Sequence, residues 1–220
     1  MWRMTCSAFV GALAAYDFAH AQESADQRAR FEQGQAAQRV SEQRQFIEAG
    51  FIPLAEATAE ADEVRRVLFS DPYSILPVPG VEIRRQPNGN VTLTVLGRGV
   101  ERPPVPLSEA DWRSLTEAES EAFLPRVYAP WPEYGPDNPP PPPPRPCHAW
   151  SSILASGGAD GERSASWSAC SGDTSGGRYI FAATAAGLAV QNAPDCTFDA
   201  GSPFWSFSRC FTTVADRAEE

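Results

Sequence analysis

Ser175 and His148 are the side chains with which this chain could carry out nucleophilic chemistry. A serine hydroxyl attacks only when a general base lies within hydrogen-bond reach and a third group orients that base. The chain has two histidines, His20 in an N-terminal apolar segment and His148 beside Cys147. Spacing assigns no carboxylate to His148, and a surface histidine at a domain edge explains it better than an acid–base group. There is no lysine, which excludes Schiff-base and phosphate-loop lysines. Asp160, Glu162, Asp173, Asp195 and Asp199 do not follow the spacing of a calcium loop. No catalytic, metal-binding or cofactor-binding set is assigned, and no cofactor is expected.

Three short stretches resemble known families. Residues 168–178, SACSGDTSGGR, resemble the segment around the nucleophile of trypsin-like serine proteases, which implies a nucleophilic Ser175 on a double β-barrel. In that family the serine directly follows the aspartate, whereas Thr174 stands between Asp173 and Ser175 here. The helical and proline-rich stretches also leave too little chain for two barrels. SWSACSG (166–172) resembles the opening of thrombospondin type 1 repeats, but Thr174 and Ser175 stand near where their next cysteine falls. A strand pair followed by PLSEADWRSL (106–115) resembles single-stranded DNA-binding transcriptional coactivators, without their basic sheet. None of the three is carried into the functional reading.

The sharper candidate is aromatic. PFWSFSRCF (203–211) brings Phe204, Trp205 and Phe207 together. Core packing accounts for such a run, and an exposed platform for a glycan or peptide is its functional reading. These three residues form the candidate ligand surface.

The elements that must position these residues follow from pattern. Residues 22–49 are rich in Gln, Glu and Arg with sparse apolar positions, and read as a solvated or partly disordered helical extension. Residues 50–124 read as a small α+β unit. In PLAEATAEADEVRRVLFSDP (53–72), Leu54, Ala57, Ala61, Val64 and Leu68 fall on one helical face, and Ser70-Asp71-Pro72 stops the helix. In VEIRRQPNGNVTLTVLG (81–97), a hairpin with Gly89 left-handed sets Val81 opposite Val95 and Ile83 opposite Leu93. A second helix follows in PLSEADWRSLTEAESEAFL, capped by Ser108 with Asp111 three residues on, its Trp112, Leu115 and Phe123 laid on the hairpin.

Residues 125–146 hold 11 of the 21 prolines and read as an extended linker. Residues 147–220 read as a mainly β domain, with Gly176 and Gly177 turning the chain into a strand at RYIFAA. The expected fold class is α+β: a helix–hairpin–helix N-terminal unit, a proline-rich linker and a small mainly-β, disulfide-stapled C-terminal domain.

The N-terminus carries Arg3, an apolar run from Cys6 to Ala15, and Ala19-His20-Ala21, the pattern of a signal peptide over residues 1–21. The run is shorter than the ~20 residues a membrane span needs. A periplasmic or secreted protein beginning at Gln22, with no stable membrane span, is expected. Cys147, Cys170, Cys196 and Cys210 then remain, separated by 23, 26 and 14 residues. Zinc sites need close pairs, so two disulfides are expected, among three connectivities. Pairing of neighbours, Cys147 with Cys170 and Cys196 with Cys210, is the chosen one. A net charge of -10 argues against nucleic acid as a partner, since phosphate tracking needs clustered positive charge. The expected function is a non-enzymatic exported module that binds an envelope protein or glycan. The alternative is a small secreted hydrolase acting on envelope polymers or glycans.

Overall fold

A computed structural model describes residues 29–30, 32–70, 79–97, 100–124, 149–171 and 175–211. The chain divides into two compact units, residues 1–42 and residues 43–220. In the first, the described residues are helical and mostly exposed. Gln38 Nε2 donates to Glu42 Oε1 at 2.8 Å, one turn along the helix.

The second unit is built around strand β1 (Glu63–Ser70). Side chains alternate across a strand. Val64 and Leu68 therefore enter one apolar cluster, and Val67 and Phe69 the other. The hairpin of β2 (Gly80–Arg85) and β3 (Val91–Gly97) has the expected register, Val81 opposite Val95 and Ile83 opposite Leu93. Gly89 turns it at φ 85°, a conformation that glycine adopts without steric cost. Two short strands, β4 (Val100–Glu101) and β5 (Val105–Leu107), both pair with β3. The remaining strands, β6 (Ser151–Gly157) and β7 (Arg163–Ser168), lie beyond β1. The result is a seven-stranded antiparallel sheet running β4-β3-β2-β1-β6-β7, with β5 also on β3. The molecule is α+β. Its C-terminal strands form no separate sheet, because β6 pairs with β1 along its length, from Val64 opposite Gly157 to Ser70 opposite Ser151.

Helices cover both faces of this sheet. The short α1 (Leu54–Glu60) packs with Phe46 and Phe51 over one face. Helices α2 (Glu109–Ala122), α3 (Gly177–Gln191) and α4 (Pro203–Phe211) contribute to the core of the other. Ser108 caps α2 reciprocally with Asp111: Asp111 N donates to Ser108 Oγ at 3.2 Å, and Ser108 N to Asp111 Oδ2 at 3.0 Å. At its other end, Arg178 donates to the carbonyls of Ala122 and Leu124, satisfying acceptors that a helix leaves open.

Three local expectations are corrected. The helix expected over 53–72 ends at Glu60, and residues 63–70 are a strand flanked by β2 and β6, which take up its backbone groups on both edges. RYIFAATAAGLAV is helical as α3, and SPFWSFSRCF is helical through α4, so residues 147–220 are not mainly β among the described residues. Gly177 opens α3 and does not turn the chain into a strand. A Cβ there would come within 2.6 Å of the Glu121 carbonyl carbon, so its missing side chain is what lets α2 and α3 meet.

Charge is buried on both faces. Glu119 of α2 accepts from Arg65 Nε at 2.5 Å, Ser156 Oγ at 2.5 Å and Arg163 Nη2 at 2.6 Å. On the opposite face Arg66, 1% exposed, donates from Nε to Glu82 at 2.6 Å and from Nη1 to the Ile52 carbonyl at 2.7 Å. Such groups tolerate burial because each is paired and hydrogen-bonded. Among the described residues, no helix is long and apolar enough to cross a membrane.

Candidate functional site

The stretch from Asp195 to Cys210 folds into a turn that launches α4. Asp199 Oδ1 accepts from Gly201 N at 2.9 Å, and Ser202 N donates to the Asp199 carbonyl at 3.0 Å. Ser206, one turn into α4, ties back: its Oγ accepts from Asp199 N at 3.0 Å and donates to the Ser202 carbonyl at 3.1 Å. The Cys196–Cys210 disulfide, with Cα atoms 5.5 Å apart, fastens the loop after α3 to the last turn of α4. This is one of the two expected pairs of neighbours.

The fastened loop and helix line a cleft of about 810 Å³. Asp195, Asp199 and Ser202 come from the loop, Trp205 and Arg209 from α4, and Arg102 from the chain just after β4. The Arg102 guanidinium lies 5.1 Å from the centre of the Phe211 ring, within cation–π range. Trp205 is 47% exposed and meets the Trp150 ring edge to face, the centroids 5.7 Å apart. Flat indole, guanidinium, carboxylate and hydroxyl groups thus share one concave surface. The aromatic face can stack, the arginines donate, and the carboxylates accept.

Helical geometry divides the three aromatics read from the sequence. Phe204 and Phe207 are buried at 6% and 0% exposure, Phe204 against Trp150, Trp167 and Tyr179, and Phe207 against Phe69. They are core residues here, because the helix turns them inward with Phe211, while Trp205 faces the cleft. The spacing of Phe204, Phe207 and Phe211 is the helical signal that would have separated them. Arg102 carried no such signal, since only the tertiary fold brings it to the loop that holds Asp195 and Asp199.

Ser175 is exposed just before α3 and is not among the residues lining the cleft. His148, Asp173, Thr174 and Cys147 lie outside the described residues, as do the signal segment and the whole proline-rich linker. Cys170, in the 3-10 turn Ala169–Ser171, is disulfide-bonded, with its partner outside the described residues. Among the described residues, no group of three or more His, Cys, Asp or Glu is placed to hold a metal ion. Comparison with known proteins returns no matching family model, no matching curated protein and no matching solved structure.

Proposed function

We propose that this chain is an exported, non-enzymatic binding module of the cell envelope whose cleft takes a saccharide. The observation that carries the reading is Trp205, a half-exposed aromatic side chain at the wall of a polar, disulfide-fastened cleft. Exposed large apolar groups inside a concavity point to a ligand. A sugar ring has one apolar face for the indole and a rim of hydroxyls for Arg209, Asp195 and Ser202. Export rests on the N-terminal pattern of Arg3, the apolar run and Ala19-His20-Ala21.

The test is calorimetric titration of the mature, oxidised protein with a panel of neutral and acidic tetrasaccharides. At least one should bind. Trp205→Ala should weaken that binding by about tenfold, the ~1.4 kcal/mol at the upper end of aromatic stacking. Failure of the whole panel to bind, or binding indifferent to Trp205→Ala, would remove the reading. Progressive cleavage of a bound saccharide would favour the hydrolase alternative instead.

A further inference from the structure

Most arginines in the sheet are consumed by the protein itself. Arg65, Arg66, Arg84, Arg85 and Arg163 each stand within ion-pair distance of a glutamate. Arg102 differs. Its backbone N–H donates to the Val95 carbonyl at 3.4 Å, and its guanidinium lies over Phe211. Among the described residues no carboxylate reaches ion-pair distance of it, although Asp195 and Asp199 line the same cleft. Asp199 is occupied in its own turn through Gly201 N. A half-buried guanidinium over an aromatic ring, with no ion-pair partner among the described residues, has donors that a carboxylate can take in bidentate geometry.

Resting on the saccharide reading above, we propose that Arg102 selects an acidic saccharide, one whose pyranose carries a carboxylate. The ring stacks on Trp205, the carboxylate meets Arg102, and ring hydroxyls donate to Asp195. The chain holds 28 acidic against 18 basic residues, so its overall field disfavours an anionic ligand. Recognition of a carboxylate therefore depends on a local cation such as Arg102, which has no ion-pair partner among the described residues.

The experiment titrates the full mature chain, disulfides intact, with tetragalacturonate, tetramannuronate and the methyl ester of each. Acid and ester share rings and hydroxyls and differ in charge. At least one acid should bind tenfold or more tighter than its ester. Arg102→Gln should abolish that preference with its urea denaturation midpoint close to that of the parent chain, which shows that the variant is folded, and Arg102→Lys should keep part of it. Equal affinity for acid and ester overturns the inference, as does an Arg102→Gln variant that retains the preference. Binding of none of the four overturns it too. Trp205-dependent binding of a neutral tetrasaccharide would in that case leave the saccharide reading standing without it.

Discussion

Glu119 shows what a single buried acid does in this sheet. Its two oxygens take hydrogen bonds from a strand arginine, a serine on β6 and an arginine on β7, so one side chain of α2 locks three strands beneath it. Glu119→Ala would leave the Arg65 guanidinium buried beside Trp112 without that carboxylate. A loss of about 3–5 kcal/mol, the usual cost of breaking a buried pair, should appear in urea denaturation. Arg65→Met combined with Glu119→Leu should lose less, because both buried charges are then gone, and the partners left behind, Arg163 and Glu63, are exposed enough to turn to water. Across the sheet, burial lowers the pKa of Arg66 from its ordinary value while Glu82 pulls it upward. For Arg84, burial acts in the same downward direction, but hydrogen bonds and charge from Glu82 and Glu60 prevail and raise it. With no lysine in the chain, every cation of this network can also stack. Arg65, Arg66, Arg85, Arg102 and Arg163 all lie over aromatic rings, which a compact ammonium serves less well.

At the level of elements, α2 offers two tests. Ser108→Ala should cost about 1 kcal/mol through loss of the reciprocal cap. Gly177→Ala should cost about 1–3 kcal/mol, since the added methyl must displace the Glu121 backbone and push α3 off α2. Both are read as shifts in denaturation midpoint. The hairpin and α2 were legible in the sequence because each has a polar side: β3 alternates buried and half-buried residues, and α2 is buried at Trp112, Leu115, Glu119 and Ala122. Helix α3 was not legible, because burial at Phe181, Ala182 and Ala185–Val190 leaves too little polar face to mark the period. Its alanines were the available clue, as strong helix formers. For β1 the face was right and the conformation wrong. Leu54, Ala57, Ala61, Val64 and Leu68 do share one cluster, and a four-residue step returns to the same face of a strand as of a helix. The cleft was the least legible part: most of its lining is the single stretch from Asp195 to Cys210, but Arg102 joins it only through the fold.

For the whole molecule, the covalent framework gives the clearest prediction. Peptide mapping under non-reducing conditions should recover Cys196 linked to Cys210, and Cys170 linked to Cys147, the partner we propose. A Cys170–Cys196 peptide would contradict the first link and the proposal together. Replacing Cys196 and Cys210 by serine should cost on the order of 3 kcal/mol, as expected for a closed loop of this length. Saccharide affinity should fall as well, because the disulfide fastens one wall of the cleft to the other.

The place of β6 in the sheet also sets an order of assembly. β1 is the central strand, yet its second neighbour is made only after the whole proline-rich stretch has emerged, as the pairing of Ser70 with Ser151 requires. Such distant pairing is slow to form. Until β6 arrives, the β1–β3 meander presents β1 as an open edge bearing Val64, Val67, Leu68 and Phe69, the kind of strand that recruits other chains. Arg65 and Arg66 sit in the middle of that run, one toward each face. Before the sheet closes they act as charged gatekeepers against intermolecular pairing, and afterwards the same two side chains become its buried ion pairs.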